Sequence, residues 1–175
     1  MTGPGTLDWR PAADHLVAGP VADALLAWGR DDVLVAPIDP DLADTAAFCA
    51  AYDVKMEDSA NCVVIAGRRG DVTRYAACVV LATTRADVNG TVRKRLDARK
   101  ASFAPMDEAV TLTGMEFGGI TPIGLPATWP IFVDAAVLDR DVVVIGSGLR
   151  RSKLALPSST LADLPGAEVI DGLAG

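Results

Sequence analysis

A glycine-rich stretch from Met115 to Gly124 is the part of this sequence best suited to chemistry. It reads MEFGGITPIG, so the adjacent glycines Gly118 and Gly119 stand shortly before Pro122. Glycines lack a Cβ, which lets their backbone N–H groups approach a ligand, and the proline stiffens the loop by restricting Thr121 as well as itself. Preorganised amides of this kind stabilise negative charge on a carbonyl oxygen. The stretch indicates either such a loop or a plain glycine-rich connection between strands.

Other motifs exclude several kinds of site. The turn Gly146-Ser147-Gly148 follows an apolar run, but the third glycine of a dinucleotide fingerprint is missing and no GxxxxGK[ST] loop occurs. His15 is the only histidine, which leaves Ser147 without a base and argues against a multi-histidine metal site. Asp134, at the end of a predicted strand, is either a turn-former or a site carboxylate.

The composition is that of a globular domain. The chain has 175 residues, of which 50% are hydrophobic and 22% are charged, enough for one domain with a sizeable core. The longest apolar run, Ala76 to Ala82, is too short to span a bilayer, and no basic signal-peptide head precedes it. We therefore expect a soluble cytoplasmic protein without a membrane partner. The three cysteines are expected to be buried free thiols.

The net charge of −7 is unevenly distributed. Residues 1–60 carry 11 acidic and 3 basic side chains, whereas residues 61–175 carry 12 and 13. Within residues 61–175 the basic residues form one cluster at positions 93–100 and a smaller one at positions 150–153. The first cluster is Arg93, Lys94, Arg95, Arg99 and Lys100; the second is Arg150, Arg151 and Lys153. The first cluster indicates either a solvated helix face or a surface that contacts phosphates.

Hydrophobic periodicity and turn residues predict a mixture of hairpins and single helices. The predicted helices are Asp14–Ala18, Pro20–Trp28, Asp44 or Thr45 to Tyr52, Asp87 or Asn89 to Leu96, Asp107 to Gly114, and Thr160–Asp163. The predicted strands are Val33–Ala36, Cys62–Ala66, Val72–Ala82, Ala101–Phe103, Ile131–Val133, Val142–Ile145, Leu154–Leu156 and Glu168–Ile170. This order predicts an α/β fold of the α+β type, a single domain whose mixed, partly closed, barrel-like β-sheet has peripheral helices. We expect Val63, Val79, Val133 and Val144 to lie in adjacent strands of that sheet.

Six segments in register resemble one known family. They are the hairpin strand at Cys62, Arg85-Ala-Asp87, Leu112-Thr-Gly114, Gly118-Gly-Ile-Thr-Pro122-Ile-Gly124, Phe132-Val-Asp134 and Val144-Ile-Gly-Ser-Gly148. The sequence resembles the YbaK/prolyl-tRNA-synthetase-associated domain family, the free-standing relatives of a synthetase editing domain. The resemblance runs from about Val33 to the C-terminus. It divides the chain into an N-terminal extension with helical pieces, residues 1–32, and an editing-like domain, residues 33–175.

The resemblance implies a trans-editing deacylase that hydrolyses a mischarged small amino acid from tRNA. Gly118 and Gly119 would bind the ester carbonyl, and Thr121 with Pro122 would shape the acyl pocket. The terminal ribose hydroxyl would help to activate water. Further contacts are implied for Asn61 with the adenosine end, and for Asp134, Gly146 and Ser147 along the site. The partners would be the aminoacylated tRNA 3′ end, contacted by the first basic cluster, and an aminoacyl-tRNA synthetase, with no metal and no organic cofactor.

The sequence departs from the family pattern at one important position. The family usually carries a lysine just before the apolar strand, and Asn61 occupies that position here. Asparagine can donate hydrogen bonds but cannot form an ion pair with phosphate. Arg150 or Lys153 could fill the same space with a cation. Two other functions stay open, a non-catalytic binding module that kept the pocket and a hydrolase of another small ester or amide.

Overall fold

Strands form wherever apolar side chains run between turn residues. The computed structural model describes residues 3–175, so the first two residues of the predicted N-terminal extension lie outside the described part. Within that part the strands are β1 (Arg10–Pro11), β2 (Leu34–Pro37), β3 (Ala60–Arg69), β4 (Val72–Leu81), β5 (Lys100–Phe103), β6 (Ile131–Asp134), β7 (Val142–Gly146), β8 (Ser152–Pro157) and β9 (Ala167–Ile170). All eight predicted strands are present, and the short β1 is additional.

The helices are short and lie around the strands. They are α1 (Gly19–Trp28), α2 (Thr45–Tyr52), α3 (Arg93–Arg95), α4 (Met106–Thr113) and α5 (Ala135–Leu138). Single 3₁₀ turns occur at Asp14–Leu16, Pro40–Leu42, Met56–Asp58 and Ser158–Asp163. Helix α1 ends at Gly29 in the left-handed conformation (φ 69°), as its sequence predicts. No helix within residues 3–175 is long and apolar enough to cross a membrane.

The predicted basic helix is only partly helical. It begins as a π turn, Val88–Val92, and continues as the short α3. Asp87 caps the turn, because its carboxylate accepts hydrogen bonds from the amides of Gly90 and Thr91. A glycine and β-branched residues in this segment disfavour a regular α-helix, which accounts for the irregular turn.

The strands form two sheets where the sequence predicted one. One sheet is antiparallel, in the order β1-β2-β8-β7, and the other is mixed, in the order β5-β3-β4-β6-β9. Val63, Val79 and Val133 share the mixed sheet as predicted, but Val144 lies in the antiparallel sheet. The single bridge Ser59–Val144 joins the two sheets, and among the described residues they do not close into a barrel. The predicted α/β fold class and single domain are confirmed.

Side-chain alternation explains why the two sheets face each other. Val143 and Ile145 of β7 belong to the same buried cluster as Ala77 and Val79 of β4, so both sheets contribute alternate residues to one central core. The intervening Val144 points to the outer face of the antiparallel sheet, where it packs with α2 residues. The outer face of the mixed sheet is covered by the π turn, α3 and the C-terminal segment.

We predict that Leu156→Ala lowers the free energy of unfolding by about 2–5 kcal/mol, because it leaves a cavity in the central core. Leu156 is 1% exposed and packs between the two sheets. The matched control is Leu26→Ala on α1, where the side chain is 84% exposed and the change should stay within about 0.5 kcal/mol. Urea denaturation followed by circular dichroism measures both; equal effects would contradict this description of the core.

Candidate functional site

A cleft of about 360 Å³ opens at the seam between the two sheets. This volume is in the range of sites that bind small molecules. Its polar lining comes from the start of α2, the beginning of β3, the glycine loop and the paired ends of β7 and β8. The residues that supply that lining are Asp44, Thr45, Ser59, Asn61, Gly118, Gly146 and Lys153. Apolar walls come from Val63, Val64, Phe103, Met106, Ala109, Phe117, Ile120, Val144 and Ile145.

Asn61 is one of the residues that line the cleft. Its Oδ1 accepts a hydrogen bond from the Thr45 hydroxyl at 2.8 Å, which fixes the amide against the start of α2. With the oxygen engaged in this way, the amide nitrogen and its two hydrogens face away from Thr45. The position therefore offers donors to a ligand but no charge.

Lys153 supplies the positive charge that Asn61 lacks. The residue is 8% exposed, and its Nζ donates to the carbonyl oxygen of Ala43 at 3.2 Å. The ammonium also lies 5.2 Å from the centroid of the Phe48 ring, a cation–π contact. Among residues 3–175 no carboxylate forms an ion pair with it. Burial lowers the pKa of Lys153, and its remaining N–H groups are free to meet a ligand in the cleft.

The polar ends of Lys153 and Asn61 meet the same short segment of chain. Lys153 contacts Ala43, and Asn61 contacts Thr45 two residues further on. Lys153 also pairs with Gly146 across the β7–β8 ladder, so its backbone lies beside the glycine loop. Lys153 and Asn61 therefore line the same cleft and contact neighbouring residues of one segment, whereas Arg150 is not among the lining residues.

The glycine loop is held in place by an arginine. Gly118 has φ 90°, a conformation that favours glycine, and a Cβ there would lie 2.4 Å from Nη1 of Arg150. The Arg150 guanidinium donates to the carbonyl oxygens of Phe117 (3.2 Å) and Pro40 (3.0 Å), and its backbone N–H donates to Glu116 Oε1 (2.8 Å). Arg150 therefore stabilises the loop and is not a free cation in the cleft.

The glycine loop also packs backbone to backbone against the turn after β7. The amide of Gly148 donates to the carbonyl of Gly119 at 2.6 Å, and the amide of Glu116 donates to the carbonyl of Gly148 at 2.9 Å. A Cβ on Gly146 would lie 2.5 Å from the Gly119 oxygen and 2.7 Å from the Ile120 oxygen. Position 146 must therefore be glycine, because the backbone of the glycine loop approaches it too closely for any side chain.

The amides available to a ligand differ from those implied by the resemblance. The N–H of Gly119 is used within the loop, because it donates to the carbonyl of Glu116 at 3.0 Å. The amides of Gly118 and Ile120, whose residues line the cleft, have no acceptor among the described residues. Of the two predicted glycines, Gly118 lines the cleft and Gly119 does not, whereas Ile120, which was not predicted, also lines it.

Four other predicted site residues lie outside the lining of the cleft. Thr121 and Pro122 are buried behind the loop, where the Thr121 hydroxyl has no hydrogen-bond partner among the described residues. The Ser147 hydroxyl donates to the Ser152 carbonyl at 3.1 Å and accepts from Ser152 Oγ at 2.7 Å, so it stabilises the turn. Asp134 is buried at the start of α5, where burial raises its pKa although the Leu173 amide opposes this shift.

The first basic cluster is divided by the structure. Arg93, Arg99 and Lys100 line a separate groove next to the cleft, whereas Arg95 pairs with Glu168 and Lys94 points elsewhere on the surface. The sequence analysis did not identify Phe103 and Arg68 as groove residues. It named Lys153 only as one of two residues, with Arg150, that could place a cation near Asn61. A lysine within the apolar strand KLALP was the signal that pointed to Lys153.

The cysteines offer no reactive thiol to the cleft. Cys62 lines its wall, and burial raises the thiol's pKa well above the usual range. Burial also raises the pKa of Cys78 to about 12, and Cys49 shifts in the same direction. Because the thiolate is the nucleophilic form, these side chains act as neutral packing groups at physiological pH. No group of three or more His, Cys, Asp or Glu side chains that could hold a metal ion occurs within residues 3–175.

Known proteins share both the family signature and the fold. The family model for the aminoacyl-tRNA editing domain matches residues 39–164. A proposed trans-editing enzyme for prolyl-tRNA synthetase is similar in structure, with a TM-score of 0.74 and 22% identity over 87% of this chain and 93% of its own. A scaffold protein used for computational epitope grafting has a TM-score of 0.75, with 22% identity over 88% of this chain and 95% of its own. A hypothetical protein of 24% identity has a TM-score of 0.72, over 89% and 99% of the two chains.

We predict that Gly146→Ala displaces the glycine loop and lowers the free energy of unfolding by about 1–3 kcal/mol, the usual cost of overpacking. The new methyl group would meet backbone oxygens, which cannot swing away as a side chain can. Gly19→Ala is the matched control, because a Cβ there has no atom within 4 Å. Chemical denaturation of both variants measures the difference, and an undisturbed Gly146→Ala protein would show that the two turns are not in close contact.

We predict that Lys153→Met raises the free energy of unfolding at pH 7 by on the order of 1 kcal/mol, because it removes a buried charge. The folded-state pKa of Lys153 lies below the ordinary value of 10.5, so the unfolded chain binds this proton more tightly. The penalty is present in full below the folded pKa and disappears as the pH rises towards 10.5. The gap between variant and wild type should therefore shrink in alkaline solution. A gap that does not change with pH would contradict a charged Lys153.

Proposed function

The chain belongs to the aminoacyl-tRNA editing domain family, and we propose that its cleft hydrolyses the ester between a small amino acid and the 3′ end of a tRNA. The observation that carries this proposal is that Gly118 and Ile120, whose backbone amides have no acceptor among residues 3–175, line the same cleft as the buried Lys153. Amides stabilise the oxyanion that forms when water attacks an ester carbonyl. The Lys153 ammonium group attracts the negatively charged phosphate and the electronegative ribose oxygens of the attached nucleotide.

Hydrolysis needs few groups from the protein. Water loses a proton as it adds to the acyl carbon, the carbonyl oxygen becomes negatively charged, and the bond to the ribose oxygen then breaks as that oxygen takes up a proton. The products are a free amino acid and a tRNA with a free hydroxyl group. In this scheme the amides of Gly118 and Ile120 bind the oxyanion, and the terminal ribose hydroxyl positions the water. The protein's contribution is thus placement and charge stabilisation, which agrees with a cleft that lacks histidine among its lining residues.

The lining of the cleft favours a small acyl group. Val144, Ile145 and Ala109 form apolar walls, and a cavity of about 360 Å³ must also admit part of the terminal adenosine. Alanine, serine, cysteine, threonine and proline are the amino acids that fit this description. A synthetase partner would supply tRNA affinity, since the acidic residues 1–60 weaken unaided binding of a polyanion.

A non-catalytic binding module is the second candidate, and Asn61 is the observation that favours it. An uncharged residue stands where the family usually has a lysine, so the pocket could hold charged tRNA without turning it over. The two candidates differ in one measurement, the release of amino acid from tRNAs charged with alanine, serine, cysteine, threonine or proline. Release above the spontaneous rate supports the deacylase, and binding without release supports the module.

We predict that Lys153→Met lowers kcat/KM for the best substrate by roughly ten- to a hundredfold, as expected for a charge-assisted hydrogen bond of about 1.5–3 kcal/mol. Asn61→Lys alone should also lower it, because two ammonium groups would then compete for the segment between Ala43 and Thr45. The double variant carries one cation again and should recover part of the loss. Kinetics of the three variants, measured with wild type, check this relation. Higher activity in Asn61→Lys, with no effect of Lys153→Met, would show that Lys153 does not replace the family's lysine.

A further inference from the structure

Phe103 is an exposed aromatic ring at the junction of three cavities. It is the last residue of β5, and its side chain is 63% exposed. The ring lines the cleft, a second cavity beside Asp87, and the basic groove. Met106 (57% exposed) and Phe117 (48%) add further apolar surface at the rim of the cleft. A contiguous exposed apolar surface beside a pocket is characteristic of a binding surface.

The basic groove beside Phe103 has a volume of about 530 Å³. Four cations line it, together with Asn89, Ser102 and Pro105; these cations are Arg68, Arg93, Arg99 and Lys100. Strand pairing sets Arg68 opposite Lys100, and the Nε of Arg93 donates to the carbonyl of Asn89 at 2.8 Å, which orients its guanidinium.

Within residues 3–175 none of these four cations forms an ion pair. The neighbouring Arg69 and Arg95 are paired, with Asp97 and Glu168 respectively. A group of unpaired cations is notable on a chain with a net charge of −7. Such a group attracts a polyanion.

We propose that the groove binds the unpaired nucleotides that precede the terminal adenosine of an RNA, with Phe103 stacking on one of their bases. Single-stranded RNA is bound by the combination found here, an exposed aromatic ring for bases and a basic channel for phosphates. The proposed path of the RNA strand runs from the cleft to the groove, because Phe103 lines both of them. A strand whose end occupies the cleft must pass this ring to reach the cations. The identity of the RNA as tRNA rests on the proposed function.

The stacking is tested with uncharged, fluorescently labelled RNA that ends in unpaired CCA, by anisotropy at fixed salt. Phe103→Ala should weaken binding roughly tenfold, which corresponds to about 1.4 kcal/mol, whereas Phe103→Trp should retain it because indole also stacks. Leu112→Ala is the matched control, since that apolar side chain is exposed but lines none of the three cavities. Equal weakening by both alanine variants, no effect of Phe103→Ala, or no binding by wild type would overturn the proposal.

The cations are tested by charge reversal and salt dependence. Arg99→Glu should weaken binding and reduce the slope of log K against log salt by about 0.7 per lost phosphate contact. Lys94→Glu, outside the groove on the same basic segment, should leave the slope unchanged. Identical slopes in the two variants would remove the groove from RNA binding, as would equal affinity for a blunt duplex without an overhang.

The outcomes separate this inference from the proposed function. Binding that depends on Phe103, without hydrolysis of any charged tRNA, would keep the RNA groove and reject the deacylase. Hydrolysis with an unchanged kcat/KM in Phe103→Ala would keep the deacylase and reject the stacking. The first measurement uses uncharged RNA, so it does not depend on any catalytic activity.

Discussion

The close backbone contact between two glycine turns is the constraint on which the site depends. One turn belongs to the long loop before β6 and the other connects β7 to β8, so they come from different parts of the fold. There is no room for a side chain between them, since a Cβ added to Gly146 would lie 2.5 Å from the Gly119 oxygen and 2.7 Å from the Ile120 oxygen. Because backbone atoms meet directly, the loop amides are positioned by the sheet itself. This is the preorganisation that stabilisation of an oxyanion requires.

A buried lysine is the second determinant of the cleft, and it is costly for folding. Lys153 loses most of its hydration and recovers only a carbonyl contact and the face of Phe48. Such an arrangement is unfavourable for stability alone. It becomes favourable when a ligand brings negative charge into the cleft. A buried charge without an ion-pair partner among residues 3–175 is therefore a candidate ligand contact, and here it lies on β8, whereas Asn61 on β3 is neutral.

Local patterns in the sequence predicted most elements but not their partners. The hairpin of β3 and β4 was predictable, because Gly70 between two apolar runs supplies the positive φ (59°) of a tight turn. The prediction placed Val144 in the wrong sheet. A run of four apolar residues is expected for a central strand of a single sheet and equally for a strand of one of two packed sheets, so the sequence alone does not distinguish the two arrangements. Asp134 and Ser147 were expected in the site because of the family resemblance. In the structure the Asp134 carboxylate instead contacts the Leu173 amide of the C-terminal segment, and the Ser147 hydroxyl contacts the Ser152 carbonyl across the turn after β7.

The hydrogen bonds of Arg150 have a consequence for how substrates are selected. This side chain joins the carbonyl of Phe117 in the glycine loop to that of Pro40, which precedes α2. Two walls of the cleft are thereby tied together across its width, so the opening cannot widen without breaking these contacts. In the proposed deacylase, discrimination against a larger amino acid would then rest on the width that these contacts maintain, and each additional methylene group that does not fit would cost about 1–3 kcal/mol. Arg150 would thus set the size limit of the acyl group before any substrate binds.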